Sequence, residues 1–156
     1  VLIGDSFGGR VAIVYASHHP VSKVVLLGSP CVRDKKPSTK EKLLKSMKKL
    51  PFMDGIEEYI KKFIGSEDYR NASPVMRETL VNVVEQDLSD YAKKIQAPTL
   101  LIWGSEDTAA PVEDAKKLEH LLKDGGLVVL DGYTHYAYLE ALPRVSAIIN
   151  NFLEVK

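Results

Sequence analysis

One serine in this sequence is set between glycines in the way a nucleophile requires: Gly4-Asp5-Ser6-Phe7-Gly8, the pattern G-x-S-x-G, with the apolar run Val1 to Ile3 before it and a helical pattern after it. A chain that turns sharply from strand to helix lifts Ser6 clear of the sheet, and glycines on either side let the turn form without Cβ clashes. The Phe7 amide, at the helix start, then faces the oxygen of a carbonyl under attack. A serine hydroxyl needs a base, and the base needs an acid to orient it. His135, at the end of Asp131-Gly132-Tyr133-Thr134-His135, and Asp107, at the end of Trp103-Gly104-Ser105-Glu106-Asp107, offer both. Such a trio suits covalent acyl chemistry: Ser6 attacks, His135 takes its proton and later returns one to the leaving group, and Asp107 fixes the tautomer. Glu106 is the neighbouring candidate for the acid. Asp107, close to Pro111, is also placed to cap the helix that follows.

Elements far apart in sequence must bring these residues together. Four apolar runs, Val1 to Ile3, Val24 to Leu27, Thr99 to Trp103 and Leu127 to Leu130, are continuous rather than alternating, as in strands buried on both faces of a parallel sheet. Helical patterns lie between and after them: Phe7 to about Ser17, stopped by Pro20; Val112 to about Lys123; and a last one opened by Pro143, with Val145, Ile148, Ile149, Phe152 and Leu153 on one face. The predicted fold class is α/β, a parallel sheet of four strands in sequential order with helices on both faces. Parallel strands put their C-terminal ends on one edge, where Ser6, Asp107 and His135 are expected to meet.

Residues 35–95 are too long for a loop and carry helical periodicity of their own, with stripes such as Leu43, Leu44 and Met47, or Ile56, Tyr59, Ile60 and Phe63. The spacing predicts a helical insertion between the second and third strands. Its lysine-rich first half reads as a solvated helix face. The whole chain, residues 1–156, is expected to form a single domain around one core.

Three segments together resemble the α/β-hydrolase fold family. Gly4-Asp5-Ser6-Phe7-Gly8-Gly9 looks like its nucleophile elbow. Pro98 to Asp107, with Pro111 after it, looks like the strand and loop that deliver the acid. Gly132-Tyr133-Thr134-His135, followed by Leu139-Glu140 and Pro143, resembles the segment carrying its histidine. The resemblance implies a serine hydrolase for a carboxylic ester or related acyl substrate, with Ser6, Asp107 and His135 as triad, Phe7 as an oxyanion donor and residues 35–95 as the lid. Carbon–carbon bond hydrolysis and acyl transfer use the same residues. Family members carry further strands before the elbow, including the loop with the second oxyanion amide. The chain is therefore expected to be the C-terminal half of the fold, starting within the elbow strand.

Composition excludes several other functions. With 21 basic and 21 acidic residues the net charge is zero, which offers no field for nucleic acid or an anionic membrane. No run reaches the roughly 20 apolar residues of a membrane span. A dinucleotide fold would need G-x-G-x-x-G, absent from the first turn, and no His/Cys cluster has ligand spacing, so neither cofactor nor metal is expected. Cys31 is the single cysteine and reads as a small buried thiol; lacking any internal disulfide, the chain suits a reducing, cytoplasmic setting. His18, His19 and His120 read as surface residues. The expected partner is a small acyl substrate. The alternative is a non-catalytic fragment that self-associates, as a homodimer, through the bare edge of its first strand.

Overall fold

The computed structural model describes residues 1–32, 73, 75–76, 83 and 86–154. The two predicted stripes at 43–47 and 56–63 and the lysine-rich segment lie outside these residues. By contacts the chain divides into a unit of Val1–Val32 with Asp87–Lys156 and a second unit of Arg33–Gln86. The first unit holds the sheet and all the candidate site residues.

Its elements are β1 (Leu2–Asp5), α1 (Phe7–His18), β2 (Val24–Leu27), α2 (Ser89–Ala92), β3 (Thr99–Gly104), α3 (Val112–Leu121), β4 (Gly125–Leu130), α4 (Ala137–Glu140) and α5 (Leu142–Leu153). The four strands form one parallel sheet in the order β1-β2-β3-β4, the architecture expected from the apolar runs. Every residue of β2 and β3 is buried, which explains why those runs are apolar without alternation. In register, Asp5 lies beside Leu27, Leu27 beside Ile102 and Ile102 beside Val128, so β1 and β2 end level with each other and β3 and β4 run two residues further at the same edge.

Each face of the sheet buries its own cluster. On one side Val24, Leu26, Leu101 and Trp103 pack with Ala12, Ile13 and Ala16 of α1 and Ala115 and Leu118 of α3. On the other, Val25, Leu27, Leu100 and Ile102 pack with Ala137, Ala141 and Val145, and with Ile148, Ile149 and Phe152 of α5. Full burial of such side chains stabilises the fold by about 1.5–3 kcal/mol each, before the entropy of ordering them is subtracted. Leu88, Ala92 and Ile95, within the predicted insertion, belong to the first cluster. β4 begins two residues earlier than its apolar run, because Gly125 and Gly126 pair with Thr99 and Leu100 through backbone alone. Among the described residues no helix is long and apolar enough to cross a membrane.

Candidate active site

Backbone hydrogen bonds carry the sheet past its strand ends. Ser6 N–H donates to Leu27 O at 2.9 Å, Gly28 N–H to Ile102 O at 3.1 Å and Ser105 N–H to Leu130 O at 2.8 Å. Each step places the first residue beyond a strand on its neighbour's last turn of ladder, and together they build one edge.

Ser6 occupies the turn from β1 into α1 with φ 48° and ψ −113°, a left-handed conformation costly for a residue with a Cβ. Close packing around it forces the turn. A Cβ on Gly4 would stand 2.6 Å from Gly8 O and from the Gly9 backbone, and one on Gly9 would collide with the Ser29 side chain. Gly8 has open space on its Cβ side, leaving the approach to the helix start clear. Phe7 is the first residue of α1, and no side chain caps that end, so its amide belongs to the helix's unpaired first turn.

Asp107 and His135 meet directly. His135 Nδ1 lies 2.7 Å from Asp107 Oδ2, with the carboxylate side chain wholly buried and the ring 16% exposed. The second oxygen, Oδ1, accepts the amides of Ala109 at 2.8 Å and Ala110 at 2.7 Å. That fixes the carboxylate in its own turn and leaves Oδ2 for the imidazole. The helix-capping role does not fall to Asp107, since α3 starts from Pro111. Beneath the turn, the buried Trp103 indole N–H donates to Ala110 O at 2.8 Å, so the core holds the loop that holds the acid. Glu106, the neighbouring acid candidate, is exposed.

The loop bearing His135 is tied as closely. Gly132 N–H donates to Ser105 Oγ, Glu106 N–H to Tyr133 O, and Glu140 accepts both the amide and the hydroxyl of Thr134, at 2.8 and 2.6 Å. The carbonyls of Tyr133 and Thr134 press so close to Gly104 that a Cβ there would collide with both. With a proton on Nδ1 donated to Asp107, Nε2 carries the lone pair a base requires.

The structure thus brings His135 and Asp107 into contact and places Ser6 and Phe7 on the same edge. Among the described residues the Ser6 hydroxyl makes no hydrogen bond. Sequence reasoning does not single out Gly28, between β1's end and the pair: at φ 48° its Cβ position would sit 3.1 Å from His135 Nδ1 and 3.3 Å from Asp107 Oδ2. The only signal for it is a glycine ending an apolar run, as at Gly4 and Gly104. Asp5 is likewise inconspicuous in the sequence. Cys31 is buried and bonded to Ser29 O, and burial pushes its thiol up to about 12, which keeps it protonated. His18, His19 and His120 are exposed, as expected. Among the described residues no three His, Cys, Asp or Glu side chains group to hold a metal ion.

Comparisons with known proteins agree with this architecture. A 2-hydroxy-6-oxononadienedioate/2-hydroxy-6-oxononatrienedioate hydrolase of Pseudomonas putida is 26% identical, the match taking in 98% of this chain and 62% of the relative. A monoacylglycerol lipase of Bos taurus is 25% identical over 97% of this chain and 54% of its own length. Among solved structures, a putative lipase of Acinetobacter baumannii superposes with a TM-score of 0.68 at 26% identity, covering 98% of this chain and 60% of that one. The chain therefore spans less than two thirds of the length of these proteins. A family model described as TAP-like protein, of the α/β-hydrolase group, matches residues 74–155, just over half of the sequence. With that match and the four-stranded parallel sheet, the chain belongs to the α/β-hydrolase fold family.

Proposed function

We propose that the chain carries the catalytic core of a serine hydrolase acting on a carboxylic ester or related acyl substrate. One observation supports this above the others: an imidazole held at 2.7 Å by a buried carboxylate, on the edge where a serine sits at φ 48° between close-packed glycines. In this reading Ser6 Oγ attacks the carbonyl carbon and its proton passes to His135 Nε2. The tetrahedral oxyanion accepts the Phe7 amide, and collapse expels the alcohol with the proton His135 returns. Water, deprotonated by the same ring, then releases the acid and restores Ser6. The unbonded Ser6 hydroxyl fits a resting site, because catalytic hydrogen bonds often tighten only once substrate is bound. The lid expected over residues 35–95 is proposed for the part that falls in the second unit, up to residue 86, since residues 87–95 belong with the sheet.

Relatives named as lipases and as hydrolases of an oxo-dienedioate suggest substrates in which an acyl carbonyl is attacked, with an alkoxide or a carbon acid leaving. Stopped-flow hydrolysis of p-nitrophenyl butyrate tests the reading. A burst of p-nitrophenol equal to the enzyme concentration, lost in Ser6→Ala, is expected. Equal turnover by the Ser6→Ala protein would overturn it.

A second reading, self-association without catalysis, rests on β1, the outermost strand at one side of the sheet, where Val1 and Ile3 are 61% and 55% exposed. Sedimentation at rising concentration, for the wild type and for Ile3→Lys, separates a strand-mediated dimer from a monomer.

A further inference from the structure

The carboxyl of Asp5 faces the histidine from the serine's side of the site. Asp5 closes β1, one residue before Ser6, on the face of the sheet it shares with Leu27 and Ile102. There it lies within electrostatic reach of His135, the hydroxyl of Tyr138 on α4 and Asp107. Its Oδ1 is buried and has no hydrogen-bond partner among the described residues. A carboxylate oxygen left dry and unpaired is costly, and nothing in the packing of β1 demands an acid there. A buried, unpaired carboxylate beside a candidate site points to a use for its charge.

We propose that Asp5 is a positioning residue: a second carboxylate, supplied by the elbow strand itself, that steadies the imidazolium of His135 beside Asp107 and orients Tyr138 against the site. This rests on the proposed function, since His135 becomes cationic only if it takes the proton of Ser6. Among the described residues, the groups around the ring are Asp107 from the β3 loop, Asp5 from β1, and Tyr138 and Tyr136 from α4 and the turn before it, the Tyr136 ring meeting the His135 ring edge-on at 5.6 Å. Burial raises the Asp5 carboxyl above its ordinary range, while His135 and then the Tyr138 hydroxyl pull it back towards ionisation. Tyr138 is raised in turn, by its own burial and by the Asp5 charge.

An anion beside the imidazole favours its protonated form, so removing the anion must lower the pKa of His135. The test is NMR titration of the His135 ring in the wild type, in the near-isosteric Asp5→Asn and in Tyr138→Phe, alongside the pH profile of kcat/KM for p-nitrophenyl butyrate. In Asp5→Asn the ring pKa is expected to fall by about one unit, with the acid limb of kcat/KM moving down equally and the plateau dropping up to about tenfold. Tyr138→Phe, which leaves Asp5 less ionised, is expected to move the ring the same way by less; this arm also decides the matter should Asp5→Asn fail to fold. A His135 titration unchanged in folded Asp5→Asn overturns the proposal. If the wild type lacks turnover while its His135 responds to Asp5→Asn, the charge pairing stands and the hydrolase reading falls.

Discussion

At the N-terminal edge of the strands, Ser17, His18, His19 and Lys94 line a hollow of about 360 Å³; at the C-terminal edge, His135 meets Asp107 and Ser6 follows the end of β1. Both edges hold serine and histidine. Of its two serines, Ser17 and Ser22, Ser17 lies in the last turns of α1 and spends its hydroxyl on Val14 O at 2.7 Å. Its histidines are exposed and rest against Tyr91 and Tyr15 at ring distances of 5.9 and 4.5 Å, with no carboxylate among the lining residues. The opposite edge differs in the surroundings of the same side chains. A buried acid orients the imidazole, glycines force the serine into a left-handed turn, and two loops are bonded to each other and to the core. Chemical competence comes from partners and backbone, and residue type alone does not supply it.

That contrast can be broken by taking the partners away. The largest effect is expected for Asp107→Asn, which leaves the ring without its anion and with the wrong tautomer: a fall of about 10⁴ in kcat, read from ester hydrolysis, in a protein of unchanged circular dichroism. Gly28→Ala comes next. The new methyl would crowd His135 Nδ1 at 3.1 Å and must hold φ 48°, so urea unfolding should show a loss of about 1–3 kcal/mol together with a drop in kcat larger than in KM. Trp103→Phe keeps most of the buried ring but strands the Ala110 carbonyl; a loss of about 1–3 kcal/mol is expected, with weaker activity as the Asp107 turn loosens. Smallest is the double change His18→Gln and His19→Gln at the other edge. Activity should stay within about twofold and stability within about 0.5 kcal/mol, since these rings are exposed. A large loss there would erase the distinction between the edges.

Much of this is legible in the sequence where local pattern decides the outcome. Continuous apolar runs mark buried β2 and β3, and the spacing of Val145, Ile148, Ile149 and Phe152 marks the buried face of α5. Ser6, Asp107 and His135 are each visible as polar residues just past such runs. Features that depend on distances across the sheet escape. Gly28 matters because a ring from 107 residues later lies against it, a contact no local rule predicts. Asp5 reads as an ordinary residue of the elbow until Tyr138 and His135 are found facing it. The start of β4 at Gly125 is hidden because backbone pairing carries no side-chain signature.

Activation of the Ser6 hydroxyl by His135 underlies every catalytic step proposed for this chain. Reaction of the folded protein with a fluorophosphonate, followed by mass spectrometry of its peptides, probes that activation without any assumption about substrate. One adduct on the peptide containing Ser6, abolished in Ser6→Ala and nearly so in His135→Gln, is the predicted result. An unreacted wild type of native circular dichroism, or labelling that persists in Ser6→Ala, would contradict it.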